Sequence, residues 1–250
     1  MLSLKRVLAL IAGLLILNPP PARAGDAQVA VAANFSEPAK QIAAAFEAAT
    51  GHTATLSFGA SGQFYSQIAA GAPFEVFLSA DAERPARAEA EGLAVKGTRF
   101  TYAVGRLVLF SRTPGLVDGA GEVLRRGRFQ KLAIADPAAA PYGTAAIETL
   151  KSLGAYEALN PRIVTGTSIA QTYQFVDTGA AELGFVAYSQ VINVTGGSRW
   201  LVPESRHTAI EQQAVLLKTG ERDPAATAFL AFLKRPAAVA IIRRYGYGVR

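Results

Sequence analysis

Four short turns rich in small and polar residues each follow a predicted strand and precede a predicted helix. They read "AANFSE" around Asn34, "FGASGQ" around Ser61, "DPAAAPYGT" around Tyr142 and "TGTSI" ending at Ile169. In open α/β sheets, ligands bind beyond the carboxyl ends of the strands, where helix N-termini present unpaired N–H groups and the positive end of the helix dipole. The turns therefore predict an anion-binding site made of hydroxyl, amide and main-chain donors.

The four turns contain neither Lys nor Arg. This composition favours a small, fully ionised oxyanion held by neutral hydrogen bonds, because protonatable anions and phosphate esters more often recruit a cationic side chain. Any one turn of this kind is also an ordinary helix N-cap. The anion hypothesis therefore depends on the four turns taken together.

The elements that carry these turns alternate between short β-rich runs and Ala-rich helical stretches over residues 28–249, which indicates the α/β class. An apolar stripe after Asn34 predicts an amphipathic helix that ends at Gly51. Helices are also predicted over 144–153 and 169–176. The stripe consists of Phe35, Ala39, Ile42, Phe46 and Ala49.

Residues 1–24 have the pattern of a secretory signal peptide. Lys5 and Arg6 precede the apolar run "VLALIAGLLIL", and Ala22-Arg23-Ala24 supplies a small-x-small cleavage site. The apolar run is too short to span a bilayer comfortably, which disfavours an uncleaved membrane anchor. We expect cleavage after Ala24 and a mature protein in the periplasm.

Composition excludes several kinds of site. The chain has no Cys, which excludes disulfides, a lipid-modified Cys, thiolate metal sites and Cys nucleophiles. Its two His residues lack metal-ligand spacing and its acidic loops lack the calcium pattern, so we expect no bare metal ion and no cofactor. Basic residues are scattered, and the densest group, Arg125–Arg128, has no interleaved aromatics. No nucleic-acid partner is expected.

The arrangement of the strand–turn–helix units predicts two lobes. Two units lie in the first third of the chain and two in the third quarter. The segments "FTYAVGRLVLFS" and "IEQQAVLLKTG" are long and extended in character, so they are candidates to cross between lobes. We therefore predict one lobe over residues 25–104 plus 217–250 and the other over residues 105–216.

Three blocks in fixed order carry a family resemblance. They are "AANF", "FGASG" and "GAPFEVFLSAD", and the likeness continues through "LAIADPAAAPYG" to the C-terminal "FLAFLKRP". The chain resembles the periplasmic molybdate-binding proteins of ABC importers. The resemblance implies a type II periplasmic binding-protein fold, with a mixed sheet and flanking helices in each lobe and a ligand cleft between them. It further implies a protein that captures molybdate or tungstate and delivers it to a membrane permease; we expect a monomer.

The resemblance also implies which residues of the first two turns bind the ligand. The first-turn position, Ser in some members and Asn in others, falls on Asn34, with the main-chain amide of Ala33 or Phe35 beside it. The second-turn Ser of the family falls on Ser61. Both the hydroxyl and the N–H of Ser61 are candidate donors to the anion.

In the third and fourth turns, the resemblance implies Tyr142, through its main-chain N–H or its phenol, and the main-chain N–H of Ile169. One departure stands out. Some members have a ligand Tyr where this chain has Ala187, and Tyr188 comes one residue late, which turns its side chain to the other face of an extended segment. Asp81 also fits the family pattern, but we predict that it caps the following helix.

Two other interpretations stay open. A binding protein for another oxyanion, such as sulfate, would share the same turns, because sulfate and molybdate have the same charge and tetrahedral shape. A secreted serine hydrolase would use Ser61 as nucleophile on its strand-to-helix turn. The hydrolase motif fails, however, because Gln63 occupies the position of the second Gly, and the only His residues are His52 and His207. We therefore predict a protein that is not an enzyme.

Overall fold

The computed structural model describes residues 24–249, so the predicted signal peptide lies outside the described residues except for Ala24. Within this range the strands form two five-stranded sheets. The strands are β1 (Asp26–Ala32), β2 (Thr53–Gly59), β3 (Val76–Leu78), β4 (Phe100–Gly105), β5 (Leu107–Ser111), β6 (Leu132–Ala135), β7 (Ile163–Gly166), β8 (Leu183–Ala187), β9 (Ser198–Leu201) and β10 (Ile210–Leu216).

Both sheets are mixed. The first has the order β2-β1-β3-β10-β4, in which β1 runs parallel to β2 and β3 while β10 runs antiparallel to β3 and β4. The second has the order β7-β6-β8-β5-β9, in which β6 runs parallel to β7 and β8 while β5 runs antiparallel to β8 and β9. The predicted α/β fold, with a mixed sheet and flanking helices in each of two lobes, is confirmed.

The helices connect the strands and cover the faces of the sheets. Within residues 24–249, no single helix is long and apolar enough to cross a membrane, although the bent pair Pro224–Phe232 and Pro236–Arg244 together pass that test of length and composition. The α-helices are α1 (Ser36–Thr50), α2 (Ser61–Ala69), α3 (Glu83–Ala90), α4 (Val123–Arg126), α5 (Pro141–Ser152), α6 (Tyr156–Leu159), α7 (Ile169–Asp177), α8 (Tyr188–Val191), α9 (Pro224–Phe232) and α10 (Pro236–Arg244).

Helix α1 shows how the sequence pattern produces the fold. Its predicted stripe is buried at Ile42 and Phe46, and the Phe46 ring packs edge-on against Phe229 and Phe232 of α9. The helix ends where predicted, because Gly51 adopts φ 73°, a left-handed conformation that costs Gly little. Burial of this stripe fixes the position of the turn before α1.

The chain crosses between the sheets at two places. The first crossing is at Arg106, between β4 and β5, and the second is over residues 202–209, between β9 and β10. We call residues 24–105 and 210–249 lobe 1, and residues 107–201 lobe 2. The predicted boundary at 216 needs correction, because β10 is an internal strand of the first sheet. Its pairing with β3 and β4, rather than its extended sequence, places β10 in lobe 1.

Candidate oxyanion-binding site

The four polar turns meet at one small cavity between the lobes. Ala33, Asn34 and Ser61 line it from lobe 1, and Tyr142 and Ile169 line it from lobe 2. The structure thus brings together all five residues that the sequence singled out. The remaining lining residues carry neither Lys nor Arg nor a carboxylate; they are Ala32, Gly59, Ala60, Ala80, Ala140 and Pro141.

Helix N-termini supply the positive potential of this cavity. Ser61 and Ile169 are the first residues of α2 and α7, and Tyr142 is the second residue of α5. Main-chain N–H groups in the first turn of a helix have no intrahelical acceptor, and they lie at the positive end of the helix dipole. Asn34 lies in a one-turn 3₁₀ helix immediately before α1. Main-chain donors therefore approach the cavity from both lobes without a formal positive charge.

The hydroxyl of Ser61 is positioned to donate into the cavity. Its Oγ accepts a hydrogen bond from the main-chain N–H of Ala80 at 2.9 Å, and Ser61 is 1% exposed. A hydroxyl that accepts one hydrogen bond still has its own proton to donate. Because Ala80 N–H holds Oγ in place, the hydroxyl is fixed beside the cavity before any ligand enters.

The Asn34 side chain, which we expected to bind the ligand, is hydrogen-bonded to other residues of the protein instead. Its Nδ2 donates to Gln212 Oε1 at 2.8 Å and to Tyr247 Oη at 3.0 Å. Both amide hydrogens are therefore committed to protein acceptors. In this conformation, Asn34 can serve an anion only through its main-chain N–H. The side chain instead fixes the turn that presents this group.

Gln212 connects the two lobes behind the cavity. This fully buried side chain accepts hydrogen bonds at Oε1 from Asn34 and from Tyr102 Oη, the latter at 3.1 Å, and its Nε2 donates to Tyr142 Oη at 3.3 Å. The Tyr142 phenol therefore contacts lobe 1 through Gln212, and its main-chain N–H is left for the cavity. Sequence reasoning missed Gln212, although a Gln inside the apolar run "IEQQAVLL" signals a buried polar contact.

Ser189 and Tyr247 complete this network and were also missed as site residues. Ser189 Oγ donates to the main-chain oxygen of Asn34 at 2.8 Å, and Tyr247 Oη donates to the same oxygen at 2.7 Å. Ser189 belongs to α8 of lobe 2 and Tyr247 follows α10 of lobe 1. The turn at Asn34 is therefore clamped by groups from both lobes.

The family assignment follows from comparison with known proteins. The family model for bacterial extracellular solute-binding proteins matches residues 27–248. The chain belongs to the bacterial extracellular solute-binding proteins.

Individual relatives and a solved structure agree with this assignment. The solute-binding protein is 59% identical to the molybdate-binding protein ModA of Rhodobacter capsulatus, over 96% of this chain and 93% of the relative. It is 54% identical to ModA of Azotobacter vinelandii, over 99% of each chain. The structure of the periplasmic molybdate-binding protein of Azotobacter vinelandii superposes with a TM-score of 0.87 and 41% identity, covering 90% of this chain and 99% of that chain. The resemblance drawn from the sequence blocks is confirmed.

Three buried phenols in the network of this solute-binding protein resist ionisation. Burial raises the pKa of Tyr102 and Tyr142 well above its ordinary value and raises the pKa of Tyr247 to about 12. In the unfolded chain the phenols lose their protons near pH 10. The buried phenols therefore contribute their full stabilisation below about pH 10. This contribution is lost as the pH rises through their pKa values in the folded protein.

We expect the free energy of unfolding to decline between about pH 10 and 12, and Tyr247→Phe to make this decline shallower, because one buried phenol no longer titrates. Urea unfolding at a series of pH values measures the slope. Tyr156→Phe, which removes a half-buried phenol outside the network, is the control. Equal slopes in the wild type and Tyr247→Phe would contradict the prediction.

Tyr188 and Asp81 lie outside the small cavity. Tyr188 N–H donates to the Arg106 carbonyl at 2.9 Å, and the Arg106 guanidinium lies 5.5 Å from the Tyr188 ring. Tyr188 therefore packs at the first crossing. It does not line the cavity, so it does not replace the ligand Tyr that some family members have at the position of Ala187. Asp81 Oδ1 accepts the main-chain N–H of Arg84 at 2.9 Å, so the prediction that Asp81 caps the following helix is confirmed.

Neither His residue is placed to activate Ser61 as a nucleophile. His52 Nδ1 accepts the main-chain N–H of Gly25 at 2.9 Å, and His207 Nδ1 contacts the Thr208 carbonyl oxygen at 2.8 Å. A serine nucleophile needs a base within hydrogen-bond reach. Among residues 24–249, no group of three or more His, Cys, Asp or Glu side chains is arranged to hold a metal ion.

Proposed function

We propose that this solute-binding protein captures molybdate or tungstate between its two lobes and delivers the oxyanion to the permease of an ABC importer. The observation that carries the proposal is the convergence of four cation-free turns from both lobes on one small cavity. The relatives named as molybdate-binding proteins, at 59% and 54% identity, support the choice of cargo. The signal-peptide pattern supports cleavage after Ala24 and export to the periplasm. There the protein acts as a monomer and not as an enzyme.

The proposed ligands are the main-chain N–H groups of the turns and the Ser61 hydroxyl. Asn34, Tyr142 and Ile169 contribute N–H groups, Ser61 contributes both N–H and Oγ, and Ala33 completes the wall beside Asn34. The main-chain N–H groups only donate, and the Ser61 hydroxyl, which already accepts the Ala80 N–H, has its proton to donate to the ligand. This donor set matches an anion whose oxygens only accept. Hydrogen bonds from neutral groups to a charged partner contribute about 1.5–3 kcal/mol each.

The same donor set disfavours a protonated oxyanion such as hydrogen phosphate. The O–H of such an anion needs an acceptor, and no Asp or Glu lines the cavity. A buried donor without an acceptor costs about 1–3 kcal/mol. We therefore propose that the proton carried by hydrogen phosphate excludes it, whereas cavity size separates molybdate and tungstate from the smaller sulfate.

A ligand panel on the mature protein tests this function. At a hundredfold excess over its dissociation constant, a ligand that binds only the folded state adds about 2.7 kcal/mol, which raises Tm by roughly 5–11 °C in a chain of this size. We expect molybdate and tungstate to produce this shift at constant ionic strength, and sulfate and phosphate to leave Tm unchanged. An equal shift with sulfate would contradict the assigned cargo. A shift with a mixture of amino acids, and none with any oxyanion, would contradict the anion site itself.

A further inference from the structure

Two adjacent carbonyls of lobe 2 accept hydrogen bonds from lobe 1 beside the cavity. The main-chain N–H of Gly62 donates to the Ala139 oxygen at 2.9 Å, and Arg84 Nη2 donates to the Ala138 oxygen at 2.9 Å. Gly62 belongs to α2 and Arg84 to α3, whereas both acceptors lie in the turn before α5. The two lobes are therefore bridged at this point by two hydrogen bonds to neighbouring residues.

Arg84 is held in place for this contact by Asp81. The Asp81 carboxylate forms an ion pair with Arg84 Nη1 and accepts the Arg84 main-chain N–H at 2.9 Å. The two side chains are only 20% and 16% exposed. Their opposite charges compensate each other, so the guanidinium presents a directed donor to lobe 2 rather than a net positive charge to the anion.

Gly62 is the residue that allows this close approach. A Cβ at position 62 would lie 3.0 Å from the Ala139 Cα and 3.1 Å from Arg84 Nη2. Contacts that short require the lobe-2 backbone or the guanidinium to move. The absence of a side chain at Gly62 therefore permits both bridging bonds to form at once.

The position of the bridge couples it to ligand release. Gly62 directly follows Ser61, and Ala139 directly precedes Ala140; Ser61 and Ala140 both line the small cavity. Any motion that widens the cavity between Ser61 and Ala140 must separate Gly62 from Ala139. The bridge therefore has to break before an anion enclosed in the cavity can leave.

We propose that Asp81, Arg84 and Gly62 form an interlobe latch with the carbonyls of Ala138 and Ala139, and that this latch slows release of the bound oxyanion. Arg84 acts as a positioning residue that stabilises the closed arrangement of the lobes. The proposal rests on the proposed function, since it assigns the latch to the same cavity. The latch forms as the lobes close, so it acts mainly on the release rate. In ligand-free protein it holds only a fraction of the molecules closed, so its loss raises the association rate by no more than about twofold.

Release of radiolabelled molybdate tests the latch. Protein loaded with labelled molybdate is chased with excess unlabelled molybdate, and bound label is followed by filter binding. We expect Arg84→Ala to release the label about tenfold faster or more, since a hydrogen bond from a charged donor is lost. Its association rate should stay within about twofold of the wild type. Arg87→Ala is the matched control, because Arg87 lies on the same helix but pairs with Glu91 of lobe 1.

A second measurement tests the latch without relying on the cargo. The chain has no Cys, so a pair such as Lys96→Cys and Glu157→Cys, exposed residues in lobes 1 and 2, takes spin labels at two defined places. In ligand-free protein, we expect Arg84→Ala to shift the interlobe distance distribution to longer values and Arg87→Ala to leave it unchanged.

The two measurements separate failure of the latch from failure of the proposed function. If the wild type binds no molybdate, the proposed function fails, and the interlobe distances alone decide on the latch. Wild-type release rates together with wild-type distances in Arg84→Ala would overturn the latch. Equal changes in Arg84→Ala and Arg87→Ala would overturn it too, because the effect would then not arise from the bridging bond.

Discussion

Gly143→Ala is expected to destabilise lobe 2 by more than about 3 kcal/mol and to abolish binding of molybdate, because the new methyl group would overlap the main chain. A Cβ at Gly143 would clash with the carbonyl oxygen of Ala135, and it would lie 2.8 Å from the Ala135 carbonyl carbon and 2.9 Å from Pro137 N. All three atoms are backbone, so no side chain can move aside. Gly143 thereby lets α5 begin against the end of β6, where the third turn reaches the cavity.

Gly119→Ala is the control for this substitution. Gly119 also lies in lobe 2, and a Cβ there would meet no atom within 4 Å, so we expect little change in stability. Urea unfolding followed by circular dichroism compares the two variants. The prediction is wrong if Gly143→Ala has the same urea-unfolding midpoint as Gly119→Ala and binds molybdate with wild-type affinity. Close packing of α5 on β6 would then not position the third turn.

Ser61→Ala is expected to weaken molybdate binding by about 10- to 150-fold, which corresponds to about 1.5–3 kcal/mol for the lost hydrogen bond to a charged ligand. The hydroxyl already accepts the Ala80 N–H, so its proton is available to an anion at no cost in reorganisation. Removal of Oγ also leaves the buried Ala80 N–H unpaired. We therefore expect a loss of stability of about 1–3 kcal/mol as well.

Calorimetric titration with molybdate measures this effect, and urea unfolding measures the accompanying loss of stability. Ser66→Ala is the matched control, because Ser66 lies on the same helix, is exposed and uses its Oγ for a hydrogen bond to the Gly62 carbonyl at 3.0 Å. Its affinity should equal that of the wild type. If Ser61→Ala folds and binds molybdate as tightly as Ser66→Ala, the Ser61 hydroxyl is not a ligand.

Local pattern was sufficient to predict the elements that begin at the cavity. The apolar stripe before Gly51 predicted α1 to within a residue, and the small polar turns predicted helices close to Ser61 and Ile169. Helix α5 begins at Pro141 rather than at the predicted residue 144, because Pro is favoured in the first turn, where its missing N–H costs nothing. These features depend on residues close together in sequence.

Contacts between distant residues could not be predicted in this way. Asn34 and Gln212 are 178 positions apart, and the pairing that commits the Asn34 amide exists only after β10 has joined the first sheet. The correct lobe for β10 likewise depends on strand pairing, since an extended apolar run looks the same in a crossover and in a buried strand. The fixed orientation of Ser61 depends on Ala80, which no turn motif contains.

A crystal structure of the mature protein grown with tungstate would locate the anion directly, because tungsten scatters X-rays anomalously. We expect one strong anomalous peak in the small cavity, with the oxygens of the anion about 3 Å from the main-chain nitrogens of Asn34, Ser61, Tyr142 and Ile169 and from Ser61 Oγ. A peak elsewhere in the protein, or no peak in crystals that contain excess tungstate, would contradict the assignment of the oxyanion site to the four turns.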